Sequence, residues 1–429
     1  MSLNRHLFFI VMLWFCFPIT TAIAQQGFGN TAKSSEPSEF GNETLEWRRE
    51  YGSGEGLRTF SAMTIDHDDQ SVILAGLSQM PEITKLFTRG GNPIEQLIVQ
   101  KVDFFGNTLW IKPFSLSTTE PNRARSVSLM KDDSYLVSGY HGGLTSMQNY
   151  AVKIDEEGKE LWKRRVGGVG DFVYYIKETP DNGFMAVGKK SYKGQKVSWL
   201  AKFNSDMRMI GESLYEDTAI GNLKFLEDSS FYSVAINYNP ETGQKSLSLS
   251  KFSVTGEQQW QTFSMPNIEL GQRRLQLSHV EYLDNHILVA GSAIDFSRGD
   301  KQNASMWLTK LNYKGEMLWS RTFEHDGEVG SFRYLAENNK GNTIAGAMRL
   351  QEAFGAEVET YFVTLSSEGV LLTKTFLGDD TISDIEFFDD GTVLITGERE
   401  LNVKKYRSGR SYASSFSYVE RKKLESGSK

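Results

Sequence analysis

Lys-Ile-Asp-Glu-Glu-Gly-Lys-Glu-Leu-Trp, from Lys153 to Trp162, ends an apolar strand, turns on a glycine and arrives at a tryptophan. The same phrase returns at Lys101 to Trp110, Lys251 to Trp260 and Lys310 to Trp319. A unit that recurs roughly every fifty to sixty residues decides the architecture before local propensity does. Followed along the chain, the tryptophan position is occupied by Trp47, Trp110, Trp162, Gly211, Trp260, Trp319 and Thr373, giving seven copies. A second landmark, an apolar strand ending in a small residue, falls at Gly76, Gly139, Gly188, Ala235, Gly291, Gly346 and Gly397.

Turn chemistry cuts each copy into four strands. Pro180-Asp-Asn-Gly183 and Asp389-Asp-Gly391 are hairpin turns, and short strands with regular turn punctuation read as all-β. In the third copy the expected strands are Asp171 to Thr179, Gly183 to Lys189, Trp199 to Phe203 and Met209 to Tyr215. Four-stranded antiparallel sheets set radially make a β-propeller, here of seven blades. The first unit opens with an outermost strand alone, Leu45 to Tyr51, and the last stops after a third strand placed at Asn402 to Tyr406. The two pieces complete each other, so the N-terminal strand is expected to close the ring. The propeller is thus expected over residues 44–406.

These repeats resemble the pyrroloquinoline-quinone-like repeats of secreted bacterial propellers, of the form KhDxxGxxhW, over nearly all of residues 45–406. The resemblance implies that the tryptophans pack between adjacent blades. It does not imply the quinone enzymes' activity, because Cys16 is the only cysteine and their vicinal cysteines cannot be formed. No cofactor is expected.

Outside the repeats, Arg5-His6, the apolar run Leu7 to Phe17 and Ala22-Ile-Ala24 have the order of a signal peptide, expected at 1–24. Residues 25–43 read as a flexible polar leader and 407–429 as a polar tail. The apolar run is shorter than the about 20 residues of a membrane span. Export to the periplasm or medium is therefore expected, as a monomer with no membrane span. The net charge of -7, one unit more negative without Arg5, argues against nucleic acid and anionic membranes as partners.

Strand alternation puts the second-to-third strand connections on one face and the hairpin turns on the other. The first set varies, from Leu77–Gln96 to a minimal Glu398–Leu401, and unequal loops on one face are where a scaffold places binding. Aligned on the landmark glycine, Arg58, Arg125, Asp171, Arg274, Arg333 and Asp384 come near the inner-strand starts at the channel mouth. Arginine grips carboxylate or sulfate in two-point fashion and keeps its charge, so an acidic glycan or an exported protein is the expected partner; pairing of these arginines with Asp171 or Asp384 is the structural alternative. Tyr140 and His141, at the start of a variable-face loop, are the candidate acid and base for β-elimination from a uronate. No histidine pair has metal spacing, and no metal is expected. A binding or scaffold role leads; a lyase or hydrolase on acidic glycans, and a structural part of an envelope assembly, are the alternatives.

Overall fold

The computed structural model describes residues 43–51, 58–79, 94–143, 146–216, 219–239, 241–242, 244–266, 273–295, 303–323, 328–352, 358–378, 380–405 and 411–424. Contacts divide the chain into Met1–Pro37 and Ser38–Lys429, and every described residue belongs to the second unit. The expected signal peptide and nearly all of the expected leader lie outside the described residues.

Seven four-stranded antiparallel blades form a propeller, and no helix occurs among the described residues. The inner strands of blades 1 to 7 are Arg58–Asp66, Asn122–Leu129, Phe172–Glu178, Ala219–Phe225, Arg273–Tyr282, Glu328–Glu337 and Asp380–Phe387. Blade 3 follows the sequence expectation closely, with its outer strand at Met209–Tyr215. Second and third strands are buried on both faces, so they read as apolar runs such as Ser71–Ser78. The core lies between blades: Ile73 and Leu97 of blade 1 pack with Val137 and Val152 of blade 2.

Blade 7 joins the two ends of the chain. Its outermost strand is Glu43–Tyr51, paired antiparallel with Ser411–Leu424 and with Trp47 opposite Arg421. One assignment is corrected: residues 402–405 extend the second strand, Val393–Lys405, and the third strand is Ser411–Leu424. The expected polar tail therefore supplies a blade strand. Its buried positions include Ser417, Glu420 and Lys422 beside Tyr418 and Val419, and this polar content disguises the strand. The shortest second-to-third connection is also elsewhere, at Lys193-Gly194 in blade 3, where φ of 48° and 79° suits a two-residue hairpin turn.

Each element of the repeated phrase has a structural task. Asp103 Oδ1 accepts the N–H groups of Phe105 and Asn107 at 2.9 and 2.8 Å, and Asn312 accepts those of Lys314 and Glu316. The turn is thereby closed from within. In three copies the lysine pairs with an aspartate of the hairpin turn in its own blade, Lys101 with Asp69, Lys153 with Asp132 and Lys202 with Asp181, whereas Lys310 reaches Glu337 of the next blade at 3.2 Å. In three copies the tryptophan docks on the next blade with its indole N–H donated to a turn carbonyl. Trp47 reaches Phe104 O at 3.1 Å, Trp110 reaches Glu156 O at 2.9 Å and Trp319 reaches Ser367 O at 2.9 Å. Two residues after each carbonyl stands a glycine with positive φ, and at Gly158 an added Cβ would meet Trp110 at 3.0 Å. Glycine is needed there for both its conformation and its bareness.

Candidate functional site

Every inner strand is broken by a register shift near its start. The shift falls between Phe60 and Ala62, Ala124 and Ser126, Val173 and Tyr175, Ile220 and Leu223, Leu277 and His279, Phe332 and Tyr334, and Ile382 and Asp384. A bulge re-aims the extra residue and bends the strand. Opposite it the backbones approach closely: at Gly76, Gly188, Gly291 and Gly397 an added Cβ would fall on a carbonyl oxygen of the inner strand. With Gly139, whose added Cβ would stand 2.7 Å from Arg123 O, this explains five of the seven landmarks; Ala235 sits at the wider blade 4 shift and carries a Cβ. In blade 6 the position belongs to Met348, and Gly346 pairs with Leu335 beyond the shift.

The charged residues taken from glycine alignment consequently occupy several levels. Arg125 and Arg333 are equivalent, each the extra residue of its bulge. Arg58 and Asp171 stand earlier, Arg58 opposite Ser78 and Asp171 just before Phe172. Asp384 follows its bulge, and Arg274, opposite Ile294, has its side chain outside the described residues. Asp171 is buried and closes its own turn by accepting Gly168 N–H at 2.7 Å. Arg58 reaches Gln100 Oε1 at 3.5 Å.

The guanidinium of Arg125 lies 4.3 Å from the ring centre of Tyr140 and 3.7 Å from that of Phe172 in the next blade, a geometry that favours cation–π attraction. Tyr140 is thus brought to Arg125, as a substrate site would require. His141 is not. The two are consecutive in the strand Tyr135–His141, whose side chains alternate between faces. His141 Nδ1 is 2.6 Å from Glu120 Oε2, and its ring is tilted on Tyr150 at 5.5 Å. An acid and a base on opposite faces of one blade cannot serve one substrate atom.

Arg333 has a neighbour that alignment missed. Arg349, opposite Ser331 on the second strand of blade 6, is close enough that the charge of Arg333, after burial, lowers its pKa. Among the described residues neither guanidinium has an ion pair or side-chain hydrogen bond, and Arg333 Nε is buried without a partner. Two partly desolvated cations that feel each other's charge, with no ion pair among the described residues, attract an anion.

Farther along the inner strands lie further charged residues. Burial lowers the pKa of Lys177, on which Glu281 and Lys224 also act. Burial pushes Asp384 up to about 6, with His279 and Glu281 of blade 5 also acting on it. These groups belong to blades 5 and 7, which stand on either side of blade 6. Asp384 accepts Met63 N–H at 3.0 Å and Glu386 accepts Ile65 N–H at 3.0 Å. Two carboxylates two residues apart thereby satisfy alternate donors on the open edge of blade 1, and burial beside Asp384 raises Glu386 as well. Lys177, Glu281 and Glu386 each sit two residues beyond Tyr175, His279 and Asp384. That period of two was the available signal, and the bulge hid it.

No family model matches this chain, and no curated protein matches its sequence. Among solved structures it is similar to the Dos1 propeller, at 10% identity and a TM-score of 0.44 over 88% of this chain and 94% of that one. It is similar to Drosophila semaphorin 2a at 10% identity and 0.46, over 81% and 73%. It is also similar to the Synechocystis apocarotenoid oxygenase ACO in its cobalt-substituted form, at 11% and 0.41, over 66% and 69%. Likenesses this distant carry no argument about what this chain binds or does.

Proposed function

We propose that this chain is an exported propeller of the tryptophan-docking, pyrroloquinoline-quinone-like type that binds an acidic glycan at its channel mouth as a binding or scaffold protein. The observation that supports it is the Arg333–Arg349 pair, two guanidinium groups that feel each other's charge without a described counter-charge. A carboxylate or sulfate there would relieve their mutual repulsion and supply the acceptors they lack. Export rests on the leader pattern of residues 1–24.

The experiment is calorimetric titration with heparin and with polygalacturonate at low salt. Binding is expected, and replacing both Arg333 and Arg349 by Gln weakens it by about tenfold or more, or about 1.4 kcal/mol. Unchanged affinity in that double variant overturns the reading. A lyase is favoured by one contact, Arg125 over Tyr140. Absorbance from unsaturated uronate ends, lost in Tyr140→Phe, would transfer the conclusion to it.

A further inference from the structure

Blades 7, 1 and 5 each fill a slot at the base of the next blade with their own indole. Blade 3 carries Gly211 in the tryptophan position, and the corresponding slot against blade 4 is a cleft lined by Gly211, Glu212, Ser213, Thr255, Gly256 and Met185, among others. An added Cβ at Gly211 would meet nothing within 4 Å. The receiving half of the slot is intact. Gly256 keeps its positive φ of 86°, and Ser253 closes the turn by accepting Glu257 N–H at 3.1 Å. The carbonyl two residues before the glycine, which accepts the indole N–H of Trp47, Trp110 and Trp319 in three sister slots, is here that of Val254. Among the described residues it accepts no hydrogen bond.

We propose that this vacated slot binds a tryptophan side chain of a partner protein, with its indole N–H donated to the Val254 carbonyl. The occupant is specified by the molecule itself, because Trp47, Trp110 and Trp319 show what this turn geometry accepts. Met209 and Ile210, which precede Gly211 on the outer strand, are 53% and 61% exposed, whereas Met185 at the floor of the cleft is buried. Glu212 does not fill it, being held by Lys190 at 2.7 Å and by the indole of Trp199 at 2.9 Å. Seven of the chain's eight tryptophans lie in the ring, and the other, Trp14, is outside the described residues.

The test uses the full chain with isotope-labelled methionine methyl groups, titrated with N-acetyltryptophanamide, indole and 1-methylindole. Saturable displacement of the Met185 signal is expected with the first two. 1-Methylindole, which has no N–H to donate, is expected to bind roughly fivefold more weakly. Gly211→Trp supplies the missing indole from within and is expected to abolish the response. The proposal is overturned if wild type gives no saturable shift at Met185, if 1-methylindole binds as well as indole, or if folded Gly211→Trp still responds like wild type.

Discussion

Arg48 Nη1 stands 2.9 Å from Asp380 Oδ2, joining the first strand of the chain to the first strand of the last blade. Arg399 holds the same carboxylate from the second strand, and Glu420 meets Arg48 from the third at 3.3 Å. The Arg48 guanidinium also lies 3.8 Å from the ring centre of Tyr418. Side chains from all four strands of the closing blade thus meet at one point, with Asp380 only 4% exposed.

Arg48→Ala is expected to destabilise the fold by about 2 kcal/mol, below the full cost of a broken buried pair because Arg399 still serves Asp380. Urea unfolding would show a lower midpoint at unchanged slope. A shift below about 0.5 kcal/mol would mean that backbone pairing alone closes the ring.

The docking glycines and the vacated position should respond in opposite directions. Gly158→Ala places a Cβ against Trp110 at a φ of 76° and is expected to cost about 2 kcal/mol. Gly211→Ala meets open space and is expected to stabilise by about 0.5 kcal/mol. Equal effects in urea unfolding would contradict the docking account.

The landmark glycines divide in the same way. Gly291→Ala drives a Cβ into Gln276 O and is expected to cost more than about 3 kcal/mol, whereas the nearest atom at Gly346 is a leucine methyl at 3.0 Å. Gly346→Ala is expected to cost about 1 kcal/mol or less. Comparable losses would place Gly346 back at the bulge.

Asp384 gives a pH dependence of definite sign. Its folded-state pKa, about 6, lies above its ordinary value of 3.8, so the folded chain holds this proton more tightly than the unfolded chain. The resulting stability is fully present below about pH 4 and is lost as pH rises through about 6. Asp384→Asn, which keeps an acceptor and removes the charge, is expected to flatten stability between pH 4 and 7 by roughly 2 kcal/mol. Identical pH profiles for the two proteins would show that the carboxyl is not desolvated.

The ring, its blade count and its closure were legible because tryptophan docking and glycine turns are local constraints, written in consecutive residues. The third strand of the closing blade was not, because polar Ser417, Glu420 and Lys422 fill buried positions where apolar residues would have announced it. The candidate site was half legible. Arg125 and Arg333 could be found from the repeat, but Arg349 pairs with Arg333 only through the fold, and the bulges shift the inner-strand register by a residue. Tyr140 and His141 are adjacent in sequence, yet the strand turns them to opposite faces.

The central claim is that Arg333 and Arg349 together receive an anion. Crystals soaked in selenate, with anomalous data collected at the selenium edge, test it most directly. The account predicts an anomalous peak within hydrogen-bonding distance of both guanidinium groups that disappears in Arg333→Gln. A map with no peak there, in crystals where the site is open to solvent, would contradict it.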